Sequence, residues 1–305
     1  MLLLKRPMIL IVSVISLFTS LFSIRYADRY AGHDFPIIAA ARQMPGTVRV
    51  MSYNIRCWDV KGVEVKDRTD IGVRQILEMM PDSVGVQEAS AQWMKALDAK
   101  LIPYDWVGVD RETGNSPKLG GESCPIFYLK SRFRLIDSGN FWLSETPDEP
   151  SFGPGAACRR VCTWAKLQNR FTGEVYVHVN THFDHVSEEA RVAGAEIVAS
   201  FIEERFSGVP VVFTADMNTF EGREAYEVMT RGLTDARLAA KHAVCYGTFH
   251  SSSPETHADY TIDFILCSPD VGVFSYRVVT KGVDGRFTSD HFPIYADIIL
   301  DGDCA

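Results

Sequence analysis

The sequence has 305 residues, of which 46% are hydrophobic and 23% are charged. This composition is typical of a globular protein and excludes a chain that is disordered over most of its length. The formal net charge of −8 argues against a broad basic surface that wraps nucleic acid, although a nuclease whose metal ion supplies local positive charge remains compatible with it.

The N-terminus predicts export from the cytoplasm. Lys5 and Arg6 precede a run without charged residues at positions 8–24, which is the order of basic and apolar segments in secretory signals. The run is close to the shortest length that can span a membrane. Residues 1–25 are therefore interpreted as a signal peptide or as an N-terminal anchor that associates with the membrane. Both alternatives place the globular part outside the cytoplasm, either secreted or periplasmic or attached to the membrane.

Residues 26–46 read as a linker interrupted by proline and glycine, and one domain is predicted over residues 47–301. Strand patterns alternate with helix patterns along this domain. Strands are predicted at residues 48–55, 83–87, 126–129, 133–143, 161–168, 175–181, 210–214, 261–267, 276–281 and 293–299. Helices are predicted at residues 68–80 and 187–206, the second with Ser187 as its N-cap. Many strands and fewer helices favour an α/β domain with two packed sheets and outer helices.

The seven cysteines are interpreted as buried thiols rather than a disulfide framework, because several lie in strand-like apolar runs. Cys158 and Cys162 lack the second pair of cysteines or histidines that a zinc site requires. Residues 144–157 contain too many prolines and glycines for regular structure. They are predicted to form a long surface loop, which either links two strands or shapes a substrate site.

Five short segments place a polar or ionisable side chain at the edge of a predicted strand. They contain Asn54, Glu88, His182, Asp216 with Asn218, and Asp290 with His291. Each segment alone has a structural explanation, such as a helix cap, a turn or a buried histidine. Five of them in one chain indicate a shared cleft.

Hydrolysis of a phosphoester explains the oxygen-bearing residues of this set. A hard divalent cation needs oxygen ligands, which Glu88, Asp290 and Asn54 can supply. The attacking water needs a general base, and Asp216 suits this role. Asn218 lies two residues after Asp216, at the end of the same apolar strand run, so both side chains are expected to point to the same side.

The histidines explain the other half of the chemistry. Donors must stabilise the charge that develops on the oxygens of the phosphorane, and His182, His291 and Asn218 are candidates for this role. A charged imidazole needs a carboxylate partner. Asp263, on the predicted strand at 261–267, is the candidate partner of His291.

The order of these motifs resembles the endonuclease/exonuclease/phosphatase superfamily with its DNase I-like fold, over about residues 47–300. The resemblance implies a four-layer α/β sandwich, in which two packed mixed β-sheets are flanked by helices. It implies Mg²⁺, for which Mn²⁺ can substitute, as the cofactor. It further implies the residue roles, with Glu88 and Asp290 as metal ligands and Asn54 beside them, Asp216 as base, Asn218 as orienter of phosphate or nucleophile, His182 as second catalytic histidine, and an Asp263–His291 pair at the phosphate.

Further residues are candidates for substrate contact. Glu122 lies where relatives often carry an acid that orients the histidine corresponding to His182, although a solvated loop residue is the alternative. Arg159 and the neighbouring Arg160 can bind a phosphate with their planar guanidinium groups, or one of the two can lie on the surface. Trp164 can stack on a base or a sugar or lie in the core. Residues 141–147 and 160–165 resemble a bacterial branch of the superfamily whose substrates are mostly unassigned.

The sequence thus predicts an exported, Mg²⁺-dependent phosphoester hydrolase of the phosphodiesterase or nuclease type. Its substrate is nucleic acid, a phospholipid head group or a small phosphodiester, and no protein partner is inferred. One alternative is a phosphatase of phospholipids or inositol phosphates. Another is a catalytically silent binding module, although no expected catalytic residue is missing. A third is an unrelated esterase with a metal cluster of His182, Asp184 and His185.

Overall fold

The computed structural model of the chain describes residues 46–59, 62–251 and 260–300. The strands are β1 (Thr47–Asn54), β2 (Ser83–Gln87), β3 (Ala89–Ser90), β4 (Tyr104–Val107), β5 (Glu122–Ser123), β6 (Ile126–Leu129), β7 (Phe133–Trp142), β8 (Val161–Asn169), β9 (Val175–His182), β10 (Val211–Asp216), β11 (Thr234–Asp235), β12 (His242–Val244), β13 (Asp263–Cys267), β14 (Gly272–Val278) and β15 (Ile294–Ile299). The helices are α1 (Val65–Met79), α2 (Ala91–Lys100), α3 (Glu188–Phe206), α4 (Glu224–Thr230) and α5 (Ala236–Ala239).

The predicted signal peptide or anchor at residues 1–25 lies outside the described residues, as does nearly all of the predicted linker. None of the described helices combines the length and the apolar composition needed to cross a bilayer. The six cysteines in the described part of the chain are free thiols, and Cys124, Cys162 and Cys267 are buried. This agrees with their interpretation as small apolar side chains.

Two large mixed sheets form the centre of the fold. The first sheet has seven strands in the order β12-β14-β15-β1-β2-β6-β4, and the second has six in the order β11-β13-β10-β9-β8-β7. In the middle of each sheet two strands run parallel, β1 with β2 and β9 with β10, and antiparallel strands β15 and β13 flank them. The ends of the parallel strands and the starts of their antiparallel neighbours therefore lie at the same edge.

Three hydrophobic cores hold four layers together. One core packs α1 and α2 on the outer face of the first sheet, around the fully buried Trp93. A second core lies between the two sheets, where Val50 of β1 and Val212 of β10 contribute. A third packs α3 and α4 on the outer face of the second sheet. The predicted four-layer α/β sandwich is confirmed.

Long and strongly patterned segments match the sequence prediction closely. Strands β2 and β6 have the predicted bounds, and the hydroxyl of Ser187 caps α3 by accepting a hydrogen bond from the Ala190 N–H at 3.1 Å. Helix α1 begins at Val65, three residues before the predicted start, because Val65 is buried and extends its apolar face. Residues 144–157 contain no helix or strand, as predicted.

A continuous set of buried hydrogen bonds joins the two sheets near the shared edge. This polar seam consists of Ser83, Gln87, His178, Asn180 and Thr214, all of which are buried. Gln87 Nε2 donates to Asn180 Oδ1 at 2.7 Å, and Thr214 Oγ1 contacts the same oxygen at 3.0 Å. The two ring nitrogens of His178 each lie 2.8 Å from a hydroxyl, one of Ser83 and one of Thr214. The seam therefore satisfies most of these polar groups in the interior, although Gln87 Oε1 has no hydrogen-bond partner among the described residues.

The close approach of the sheets at this seam requires a glycine. A Cβ atom on Gly85 of β2 would lie 2.1 Å from Thr214 Oγ1 and 2.5 Å from Asn180 Oδ1. Both atoms belong to members of the seam that hydrogen bonds hold in place. A side chain at position 85 would therefore separate the sheets or break the seam.

We expect Gly85→Ala to lower the free energy of unfolding by about 1–3 kcal/mol or more, which is the usual cost of forcing atoms into a packed interior. Urea denaturation measures this change. Gly232→Ala is the matched control, since a Cβ at Gly232 meets no atom within 4 Å. Equal stability of the two variants would show that the seam tolerates expansion.

Candidate active site

The shared edge of the sheets brings together the polar residues singled out in the sequence. Asp216, the last residue of β10, lies directly opposite His182 of β9 and Asp263 of β13 in the strand registers. Asn54, at the end of β1 on the other sheet, donates from its amide to Asp216 Oδ2 at 2.8 Å and to Glu88 Oε1 at 3.0 Å. The buried amide of Asn54 thus connects the two sheets at the centre of the site.

A turn after β10, and not the alternation of side chains along a strand, brings Asp216 and Asn218 together. Strand β10 ends at Asp216, and Asn218 has a left-handed backbone with φ of 48°. Its N–H donates to Asp216 Oδ1 at 2.9 Å, which is the pattern of an Asx turn. The expectation that both residues continue one strand is therefore wrong, although they do lie together.

His291 is held as a charged imidazole. Its Nδ1 donates to Asp263 Oδ2 at 2.9 Å, and its Nε2 lies 3.7 Å from Asp216 Oδ2 and 4.0 Å from Asp290 Oδ1. Burial disfavours the charge, but the carboxylates of Asp263 and Asp216 outweigh burial and raise the pKa of His291 to about 10. The imidazole is therefore protonated at neutral pH.

His182 has the opposite character. Asn218 donates from Nδ2 to His182 Nε2 at 2.8 Å and to the Phe183 carbonyl oxygen at 3.0 Å, and the second bond fixes the orientation of the amide. Burial, together with the positive charges of Arg160 and Arg111, lowers the pKa of His182 well below its ordinary value. His182 is thus a neutral imidazole that accepts at Nε2.

Glu88 is turned into the site by its backbone. It follows β2 with a left-handed φ of 58°, and its Oε2 accepts from the Cys57 N–H at 2.9 Å. Burial favours the neutral acid, but hydrogen bonds from Cys57 and Asn54 and the charge of His291 lower the pKa of Glu88 below its ordinary value. Glu88 is therefore an ionised carboxylate in a rarely populated backbone conformation, a combination that points to function.

Asp290 lies beside a guanidinium group that the sequence analysis did not identify. Arg56 Nη1 lies 2.7 Å from Asp290 Oδ2. Like Glu88 and Asn218, Arg56 has a left-handed backbone, with φ of 60°. A non-glycine residue with positive φ after a strand has no reliable sequence signal, so Arg56 was missed.

The donor set of this edge suits a hard divalent cation. Four carboxylates meet two cationic side chains at this edge, namely Glu88, Asp216, Asp263 and Asp290 with His291 and Arg56. Carboxylate and amide oxygens are the ligands that Mg²⁺ and Mn²⁺ prefer. The residues present therefore fit such an ion.

A thiol lies beside these oxygens, which was not expected. The Sγ atom of Cys57 and carboxylate oxygens of Glu88 and Glu122 all lie within 4.8 Å of one another. Burial, together with the two negative charges, raises the pKa of Cys57 far above its ordinary value. The side chain therefore stays a thiol at neutral pH and does not supply a thiolate ligand for a soft metal.

A small cleft opens next to Glu88 and His182. Its lining is mostly polar or charged and comprises Glu88, Arg111, Glu122, Ser123, Cys124, Arg160, Val161 and His182. Arg111 Nη2 pairs with Glu122 Oε1 at 2.5 Å. Burial, partly opposed by Arg111, raises the pKa of Glu122 above its ordinary value. Glu122 thus lies in the same pocket as His182, with Arg111 as its ion-pair partner.

Two predicted substrate contacts lie elsewhere. Arg159 Nη1 pairs with Glu112 at 2.9 Å, and its guanidinium lies 4.7 Å from the Phe152 ring centroid, whereas the neighbouring Arg160 lines the pocket and is 5% exposed. Trp164 is buried in the core under α3. The alternation of β8 explains this, since Ala165 faces the other sheet and Trp164 faces the helices.

Asp184 has a structural position. Its Oδ1 accepts from the N–H groups of Val186 and Ser187 at 2.9 Å each, and its Oδ2 accepts from the Ala157 N–H at 3.0 Å. This attaches the end of loop 144–157 to the start of α3. Arg160 Nη2 lies 3.0 Å from His185 Nδ1, so a positive charge lies beside the metal cluster proposed from His182, Asp184 and His185.

The whole chain was compared with known proteins. An endonuclease/exonuclease/phosphatase family protein of Bacteroides thetaiotaomicron superposes with a TM-score of 0.79 at 30% identity, over 85% of this chain and 99% of that chain. Another from Bacteroides vulgatus gives a TM-score of 0.76 at 35% identity, over 83% and 98%. The chain belongs to the endonuclease/exonuclease/phosphatase family. The resemblance to a bacterial branch of this family is confirmed.

A second protein from Bacteroides thetaiotaomicron carries a named activity. A mannosyl-6-phosphatase of Bacteroides thetaiotaomicron gives a TM-score of 0.77 at 30% identity, over 83% of this chain and 99% of that chain. No protein-family model matches the sequence. An uncharacterised protein of Acanthamoeba polyphaga mimivirus is 22% identical over 81% of this chain, which spans only 42% of that protein. The family is one of phosphoester hydrolases, and the chain shares its fold.

We expect Asp263→Asn to lower the pKa of His291 from about 10 by roughly 1–3 units, because the variant keeps an acceptor for Nδ1 but removes the adjacent charge. The charged imidazole is then lost at a lower pH than in the parent. NMR titration of the ring protons measures the shift. His178, whose pKa burial lowers to about 3, is an internal control that stays neutral in both proteins. An unchanged His291 titration would contradict the pairing.

Proposed function

We propose that the chain is an Mg²⁺-dependent phosphoester hydrolase that removes phosphate from a small hydroxylated compound, such as a sugar phosphate. The observation that carries the proposal is the convergence of a charged imidazole, His291, with Asp216 and Asp290 at one edge of the sheets. This arrangement offers a donor, a base and an oxygen ligand within a few ångströms, as phosphoryl transfer to water requires.

Glu88 and Asp290 are proposed to hold the metal ion, with Asn54 beside them. When bound, Mg²⁺ or Mn²⁺ supplies positive charge to the phosphate oxygens and orients the phosphate. The Asn54 amide keeps Glu88 in place, and the low pKa of Glu88 keeps its carboxylate ionised. The chain therefore presents this ligand already charged and oriented.

Asp216 is proposed as the general base. Burial, together with the negative charge of Asp263, raises the pKa of Asp216 to about 7, which suits a base that works near neutral pH. Asn218 uses both amide hydrogens on His182 and Phe183, so only its carbonyl oxygen is left to accept a hydrogen bond. Asn218 thus orients the attacking water, whose proton passes to Asp216, and does not donate to the phosphate.

The two histidines take different roles in this proposal. His291 is charged, and its Nε2–H is available to a phosphate oxygen because Nδ1 is bound to Asp263. His182 accepts at Nε2 and is neutral, so this nitrogen cannot donate to the phosphate. His291 is therefore the imidazole that stabilises charge on the phosphorane, while His182 positions Asn218.

The pocket supports a small hydroxylated leaving group. The described residues that line it are mostly polar or charged, and none of them carries a phenyl, phenol or indole ring. Arg111, Glu122 and Arg160 instead offer donors and acceptors to hydroxyl groups. The mannosyl-6-phosphatase that shares 30% identity supports the same class of substrate.

The purified protein should hydrolyse sugar phosphates faster than single-stranded DNA, RNA, sphingomyelin, inositol phosphates or bis(p-nitrophenyl) phosphate in the presence of Mg²⁺. Released phosphate and cleaved products measure each rate. EDTA should abolish turnover, and added Mg²⁺ or Mn²⁺ should restore it, because the ligands are oxygen atoms. Preference for nucleic acid or lipid would replace the substrate assignment, and full activity in EDTA would refute the metal dependence.

The variant Asp216→Asn shows whether the measured turnover comes from this active site or from a contaminating enzyme. It keeps the size of the side chain but removes the base, so kcat should fall by roughly 10²–10⁴-fold. Asp137→Asn changes a carboxylate that is 56% exposed on β7 and should retain parental activity. A catalytically silent binding module would instead give no turnover with the parent protein on any of these substrates.

We further propose that the domain works outside the cytoplasm, because Lys5 and Arg6 followed by the apolar residues 8–24 have the order of an export signal. Fusing residues 1–46 to a reporter that is active only after translocation should give an active reporter. A fusion without residues 1–25 is the control. A reporter that stays inactive in the cytoplasm would reject export.

A further inference from the structure

Arg56 lies in a short loop that is fixed from several sides. Its carbonyl oxygen accepts hydrogen bonds from Trp93 Nε1 and Arg68 Nη2, each at 3.0 Å, and its N–H donates to Asn54 Oδ1 at 3.0 Å. Trp93 and Arg68 are both fully buried. These bonds hold the backbone of Arg56 at a φ of 60°, which non-glycine residues rarely adopt. The fold therefore specifies the place of this side chain.

The guanidinium group of Arg56 lies between the acids of the site and the solvent. Nη1 contacts Asp290 Oδ2 at 2.7 Å, and the Arg56 side chain is 37% exposed whereas that of Asp290 is 5% exposed. The Nε atom of Arg56 is buried and has no hydrogen-bond partner among the described residues. This Nε therefore remains available to an acceptor that a ligand brings, as does the equally unpaired Nε of five other described arginines.

The position of Arg56 suits a phosphate that also contacts His291. Asp290 lies between them, with Oδ2 at 2.7 Å from Arg56 Nη1 and Oδ1 at 4.0 Å from His291 Nε2. A phosphate bound by the imidazole therefore lies within reach of the guanidinium group. Planar guanidinium groups bind two oxygens of a phosphate at once, which a lysine cannot do.

We propose that Arg56 is a phosphate-binding residue of this site, which acts together with His291 on the phosphate of the substrate. The proposal rests on the phosphoester hydrolase function given above. The alternative is that Arg56 only holds Asp290 in position. In that case removing Arg56 would weaken metal binding, and phosphate affinity would fall only because less metal is bound.

Binding measurements separate these roles without any turnover. Isothermal titration of the folded protein with inorganic phosphate, at saturating Mg²⁺, gives the phosphate affinity, and a titration with Mn²⁺ alone gives the metal affinity. We expect Arg56→Met to raise the Kd for phosphate roughly 10- to 100-fold, which is the range for losing hydrogen bonds between charged groups. The Kd for Mn²⁺ should change less than about threefold. Arg56→Lys keeps the positive charge but not the planar group that binds two oxygens. Its Kd for phosphate should lie between those of the parent and of Arg56→Met.

Arg74→Met is the matched control, because Arg74 Nη1 pairs with Asp284 Oδ2 at 2.6 Å, also in a single contact. It should leave both affinities unchanged. A phosphate Kd for Arg56→Met within threefold of the parent would overturn the proposal, as would a loss of Mn²⁺ affinity that equals the loss of phosphate affinity. A parent protein that binds phosphate through Arg56 but hydrolyses no substrate would refute the hydrolase function alone.

Discussion

The polar seam between the two sheets is the constraint on which the geometry of the site depends. Sheets usually pack through apolar side chains, and those tolerate small shifts. Hydrogen bonds between buried groups do not, because a broken bond leaves a polar atom without a partner. The side-chain oxygen of Asn180 contacts Gln87 of the first sheet and Thr214 of the second. The sheets can approach this closely because Gly85 has no side chain. The distance between the sheets is fixed just behind the catalytic edge.

Because this distance is fixed, the amide of Asn54 can donate hydrogen bonds on both sides of the gap between the sheets. Asn54 belongs to the first sheet, yet its two N–H groups reach Glu88 of that sheet and Asp216 of the other. A shift of one ångström would break one of these bonds. The ligand carboxylate and the base are therefore held as one unit, and neither side chain has to be ordered when a substrate binds. Preorganisation of this kind reduces the cost of reaching the transition state.

The environment gives the two histidines different protonation states although both are buried. His291 lies among Asp263, Asp216 and Asp290, which favour its charge. Burial disfavours the charge of His182, and the neighbouring Arg160 and Arg111 disfavour it further. The same residue type is thus a donor on one side of Asp216 and an acceptor on the other. This division follows from charges brought by distant parts of the chain.

The sequence contained enough information for the layers and for the residues at their shared edge. Long strands such as β9 and the cap of α3 carry strong local signals. Short strands such as β4 depend on tertiary contacts and were not predicted. The closeness of Asn218 to Asp216 was predicted, but from strand alternation and not from the turn that produces it. Whether Arg159 or Arg160 enters the pocket depends on the direction of one residue at the start of β8. Spacing in a sequence cannot decide that, and the buried Trp164 shows the same limit.

The attachment of loop 144–157 has a consequence for how this protein can diverge. Asp184 binds the loop through the backbone N–H of Ala157 and not through a side chain. Every amino acid except proline offers that N–H. Mutations can therefore change the side chains of the loop without detaching it from the scaffold. Related proteins can therefore differ in the side chains of this loop, and so in the ligands they contact, while His182, two residues before Asp184, stays unchanged.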